Sequence, residues 1–329
     1  MKKLNLIAGI LFPVLAAFAI TACSSDEPVI EDEPAKGPDM FYPADSTFLY
    51  EILKEATGLE DGFLDGRLLI NFADTVNNMP HKPRFYMKVK GVKDENGQWR
   101  IWGLELYCYE YTYPIPVIPE SIKNLDYLTD LFINGEGWTG YMPDYIAEIK
   151  NLKNLNIRCT SFYTLPDDLF TEDMLTVSII GNNNIVSLPS SVTRLTNKWE
   201  GDRAFIIAGN ESLSGKVPPI TKAAIGMWAN AFTSFDYNGV RKRHLGPDGK
   251  VYVTGAWLEG CHINELVPDS ILSDTVALCD FRSQLGGYQE GGLPANLPSD
   301  EEIEKMRKEY IRNHPEDSLF AAIMHAQER

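Results

Sequence analysis

At 329 residues and 44% apolar content, the chain is long enough to bury a large core. Its 30 basic and 46 acidic residues give a formal net charge of −16, which argues against a nucleic-acid partner, since phosphates demand a basic face. There is no Gly-x-Ser-x-Gly, phosphate-loop or His-Glu-x-x-His pattern, and the five histidines are scattered without zinc spacing, so no enzyme chemistry, metal or cofactor is expected.

Taken in order, the chain opens with Met1-Lys2-Lys3, an apolar run from Leu4 to Ile20, and Thr21-Ala22-Cys23. The run is too short and wrongly flanked for an ordinary membrane span, so residues 1–22 read as a secretory signal. The Ala22-Cys23 junction resembles the lipobox of bacterial lipoproteins. That resemblance implies cleavage before Cys23 and lipidation of its new N-terminus, with several acyl chains burying methylenes in a bilayer. Ser24-Ser25-Asp26-Glu27 resembles the acidic tag that sends lipoproteins of some Gram-negative gut and oral bacteria to the outer face of the outer membrane. The expected location is therefore the outer membrane, lipid-anchored and facing the cell exterior. Residues 23–42 carry Pro28, Pro34, Pro38 and clustered acids, too polar to fold, and are read as a lipidated flexible tether.

Residues 43–100 form the next unit. A helix is predicted from Asp45 to Gly58, with Asp45 or Ser46 as cap, Phe48, Leu49, Ile52 and Leu53 as apolar face, and Gly58 as stop. Asn96-Gly97 and the stretch from Trp99 to Leu106 predict a hairpin feeding the first repeat.

From Leu104 an apolar-x-apolar triplet recurs at Leu104-Leu106, Leu131-Ile133, Leu155-Ile157, Val177-Ile179 and Phe205-Ile207, then at Ile225-Met227, Val251-Val253 and Val276-Leu278. The first residues are 27, 24, 22, 28, 20, 26 and 25 positions apart. A second phrase keeps the same period: Ile118-Pro119, Met142-Pro143, Leu165-Pro166 and Leu188-Pro189. Asn182, Asn210 and Asn230 fall three places after a triplet, where an amide can serve backbone groups of the neighbouring turn and form a ladder. The pattern is the mark of a leucine-rich repeat. The expected fold is an α/β solenoid of about eight coils over residues 101–290, with an N-terminal helix-hairpin cap and a C-terminal helical cap over residues 291–329. Ala56-Thr57-Gly58 and Gly91-Val92 resemble the N-terminal cap of plant-type leucine-rich repeats, although Lys90 replaces the aromatic residue usual before Gly-Val. In the tail, Ser299 to Glu302 spells a capping box ahead of Ile303, Met306, Tyr310 and Ile311, and Pro315 opens a second short helix through Leu319, Phe320 and Ile323.

Cys108 and Cys159 hold equivalent positions two coils apart, too distant for a disulfide. A Cys261–Cys279 bond stays open, and buried free thiols are the default. The residues between and beside the triplet pairs should line the concave face. On it Tyr107, Phe132, Trp228 and Tyr252 read as aromatic anchors, with Arg158 as charged contact and Asn156 between them. The chain as a whole resembles leucine-rich-repeat surface lipoproteins of Gram-negative gut bacteria. That resemblance implies non-enzymatic recognition of a protein, including a host protein, in adhesion. The alternative is a carbohydrate-binding accessory of a glycan-uptake system, with Tyr107, Trp228 and Tyr252 stacking on sugar rings.

Overall fold

The computed structural model describes residues 41–57, 85–108, 117–197, 204–245, 251–287, 289 and 292–315. The expected signal peptide, Cys23, the tether to residue 40, the Gly58 stop and the helix after Pro315 lie outside the described residues.

Helix α1 (Pro43–Thr57) begins at a proline, whose fixed φ suits a first helical position. This corrects the expected cap. Asp45 lies inside the first turn, is fully buried, and accepts the Ile101 amide N–H at 2.7 Å. Arg100 stands 3.4 Å from the same carboxylate, its guanidinium between the Tyr42 and Tyr127 rings at 4.2 and 4.3 Å. Burial raises the Asp45 pKa against the opposing pull of the Ile101 amide and Arg100. The carboxylate thus works as a bolt between α1 and the sheet, and Phe48, Leu49 and Ile52 supply the apolar contact.

The hairpin is formed by β1 (Phe85–Lys93) and β2 (Trp99–Cys108), antiparallel. Its turn is held by Asp94, whose carboxylate accepts from the amides of Asn96 and Gln98, and by Gly97 at φ 75°. Parallel strands then follow in register: β3 (Asp130–Asn134), β5 (Asn154–Arg158), β7 (Thr176–Ile180), β8 (Ala204–Ala208) and β10 (Ala224–Gly226). Strand alternation sends the outer residues of each triplet to one face, and Leu104, Leu131, Leu155, Val177, Phe205 and Ile225 are all buried there. Between the main strands lie two small parallel pairs, β4 (Thr139–Tyr141) with β6 (Ser161–Thr164) and β9 (Ser214–Val217) with β11 (Ala231–Phe235). Pro119, Pro143 and Pro189 each open a 3-10 turn that drops Ile122, Ile146 or Val192 into the core.

The asparagine ladder is continuous. Asn182 Oδ1 accepts from the amide and hydroxyl of Thr160, Asn210 Oδ1 from the amide of Asn182, and Asn230 Oδ1 from the amide of Asn210. Each Nδ2 donates to the carbonyl of a triplet residue: Ile157, Ile179 and Ile207 respectively. Buried backbone groups that a bend would orphan are thereby paired. Cys261 takes the next position, its Sγ 3.1 Å from the Met227 carbonyl oxygen.

Past β10 the expected repeat breaks down. In β13 (Val251–Trp257) Ile225 pairs with Ala256 and Gly226 with Trp257, so the partner of Ile225 is not Val251 but a residue five places on. The first part of β13 is occupied instead by antiparallel pairing with β12 (Lys242–Leu245). Val276-Ala277-Leu278, expected as the eighth strand, opens a helix. After α2 (Asp269–Leu272), α3 (Thr275–Leu285) is N-capped by Asp274, which accepts from the amides of Val276 and Ala277. Leu278, Cys279, Phe281 and Leu285 are buried at helical spacing. The eight-coil leucine-rich-repeat solenoid is therefore corrected. The fold is α/β, on a mixed nine-stranded sheet ordered β1-β2-β3-β5-β7-β8-β10-β13-β12, parallel in the middle and antiparallel at both edges.

Helix α4 (Asp300–Asn313) starts in the capping box read from sequence: Glu302 N–H donates to Ser299 Oγ and Ser299 N–H to Glu302 Oε2. Ile303 packs with Leu278 and Cys279 of α3, with Met306, Tyr310 and Ile311 alongside. Cys108, Cys159, Cys261 and Cys279 are free thiols, which closes the question of a Cys261–Cys279 bond. Cys159 departs from the buried default. It is exposed, at φ 51°.

Candidate binding surface

The face of the sheet opposite the core carries the candidate residues. Register sets Glu105, Phe132, Asn156 and Ser178 side by side, and Tyr107, Asn134, Arg158 and Ile180 in the next row. Four of the six predicted ligand-binding residues (Tyr107, Phe132, Asn156 and Arg158) thus share one patch across β2, β3 and β5.

They are half-buried and packed on each other rather than free-standing. The Tyr107 and Phe132 rings lie 5.4 Å apart, tilted by 47°. The Arg158 guanidinium is 5.8 Å from the Phe132 ring and donates through Nη2 to Asn156 Oδ1 and Ser178 Oγ, both at 3.4 Å. Its Nε is buried without a hydrogen-bond partner, and among the described residues no carboxylate pairs with it. Burial accordingly lowers the Arg158 pKa. At the other end of the patch, Tyr107 donates its hydroxyl to Glu105 Oε2 at 2.7 Å, and Lys88 Nζ lies 3.1 Å from the same oxygen. Burial pushes Glu105 up, but these donors, with Lys90 at 3.7 Å, outweigh it and leave the carboxyl below its ordinary range. The patch therefore presents one satisfied carboxylate and one uncompensated guanidinium around an aromatic ridge.

Trp228 and Tyr252 are not part of it. Trp228 follows β10, and its ring stands over Gly226, where any Cβ would run into Cζ3 of the indole. Tyr252 pairs across the edge hairpin with His244. The sheet places Trp257 beside Gly226, the position that the sequence reading gave to Tyr252.

Several neighbours were absent from the sequence reading. Lys88 and Lys90 reach the patch only through strand pairing, which nothing in their own stretches announces, whereas Ser178 follows from the repeat as the middle residue of its triplet. Trp257 did have a signal: Ala256-Trp257-Leu258 fits the apolar triplet, and Cys261 follows Leu258 by the same three places as the ladder asparagines. Its interval of 31 from Ile225 lies outside the 20–29 residue period used to find the others.

No protein-family model matches the chain, and a search of curated proteins finds no match.

Proposed function

We propose that this chain is a non-enzymatic binding protein, lipid-anchored through Cys23 on the exterior of the outer membrane, that holds a protein partner on the open face of its sheet. The observation that carries the reading is the Phe132 ridge, with Tyr107 on one side and the carboxylate-free Arg158 guanidinium on the other. Rings already fixed by their neighbours lose little freedom when a partner covers them. An acidic side chain of that partner would give Arg158 the charge-assisted hydrogen bonds it lacks. The secretory start and the acidic tether support the location, since a binding face of this kind serves a cell best where partners are met.

The test uses the full chain expressed in cells. Cys23→Ala is expected to move the protein from the membrane fraction to the soluble one. Phe132→Ala and Arg158→Ala are expected to weaken retention of proteins from a host extracellular-matrix extract by about 1–3 kcal/mol each, with little change in melting temperature. Membrane attachment that survives Cys23→Ala would sink the anchor, and undiminished retention by both face variants would sink the partner reading.

A further inference from the structure

A second feature of the same face stands apart from the Phe132 ridge. Between β10 and β13 lies a hollow of about 150 Å³, lined by Ala224, Gly226, Gly255, Trp228, Trp257 and Arg241. Its size suits one ring rather than a whole ligand.

Three independent facts describe what such a ring must be. First, the walls are indole: the Trp228 ring stands over Gly226, and Trp257 beside it is 41% exposed. The negative face of an indole draws the weakly positive C–H bonds of a saturated ring. Second, Arg241 lies 5.1 Å over the Trp257 ring, so a cationic occupant would meet a like charge. Third, that guanidinium has no carboxylate partner among the described residues. Its side-chain hydrogen bond is a 3.4 Å contact from Nη1 to Ser283 Oγ, and the nearby Asp280 is held by Arg243 at 2.6 Å. Burial, and then the Arg243 charge, lower the Arg241 pKa, with Asp280 opposing them. An anion at the mouth of the hollow would relieve that environment.

We infer that the hollow between Trp228, Trp257 and Arg241 is a subsite for an acidic sugar, a pyranose ring whose carboxylate meets Arg241 while its apolar face lies on indole. The site is separate from the Phe132 ridge, and its failure would leave the protein-binding reading standing.

Calorimetric titration of the full chain with three probes tests this: tri-galacturonic acid, its neutral counterpart tri-galactose, and triglutamate as a charge-matched peptide. The acidic trisaccharide is expected to bind at least about tenfold more tightly than either of the others. Arg241→Gln is expected to abolish that preference, leaving the neutral sugar unaffected. Trp257→Ala is expected to weaken the acidic sugar by about tenfold or more. Should Trp257→Ala fail to fold, Trp257→Phe, which keeps a smaller ring, is expected to give a partial loss. Equal binding of the neutral sugar would overturn the role of Arg241. Equal binding of triglutamate would reduce the site to a charge, and no binding of any probe at millimolar concentration would overturn the subsite altogether.

Discussion

Asn210→Ala is expected to destabilise the protein by about 2–6 kcal/mol, because two groups lose a partner and each orphan costs about 1–3 kcal/mol. Asn210 is fully buried in the middle of the ladder. Its Oδ1 accepts the Asn182 amide N–H at 2.9 Å, and its Nδ2 donates to the Ile179 carbonyl at 3.1 Å. Alanine offers neither group, so both lose their side-chain partner. The measurement is urea unfolding, read as a lower midpoint at an unchanged slope. A loss within about 0.5 kcal/mol would mean that the ladder is ornamental and that the parallel pairing holds the strands unaided.

Leu155→Ala is expected to cost about 2–5 kcal/mol, while Asn156→Ala, one residue on, should cost no more than about 0.5 kcal/mol. Leu155 is fully buried between Leu131 and Val177 of the flanking strands. Asn156 points to the open face, where its side chain accepts a 3.4 Å contact from Arg158. The pair reads the inward and outward faces of one strand in adjacent positions. Equal losses would contradict the register on which the binding patch depends.

Much of the scaffold was legible in the sequence because its determinants are local and repeated. Leu131, Leu155 and Val177 announce strands by alternation, the prolines at 119, 143 and 189 mark turns, and the Ser299–Glu302 box starts its helix. Asn182, Asn210 and Asn230 could be placed because an amide at a bend has few other uses. The reading failed where local pattern and long-range pairing compete. Val251 to Val253 has the strand pattern, but β12 claims it, and the sheet is continued instead by Ala256 and Trp257. Val276-Ala277-Leu278 fits a triplet equally well, yet Asp274 caps two of its amides and the apolar spacing through Phe281 and Leu285 is helical. Asp45 looked like a cap because it precedes an apolar face. Its role, bonded to Ile101 and Arg100 across 56 and 55 residues, is visible only once the chain is folded. The patch was half legible for the same reason. Tyr107, Phe132, Asn156 and Arg158 follow from the repeat, while Lys88 and Lys90 arrive through the pairing of β1 with β2.

The most direct test of the proposed function asks which face of the sheet a partner touches. A photo-crosslinking phenylalanine analogue placed at Phe132, and separately at Ser190 on a 3-10 turn of the opposite side, would be activated on intact cells exposed to extracellular-matrix extract. The account predicts a discrete protein adduct from position 132 that disappears when Arg158 is also changed to alanine, and none from position 190. An adduct from position 190 alone would place recognition on the proline-containing turns and contradict the binding face proposed above.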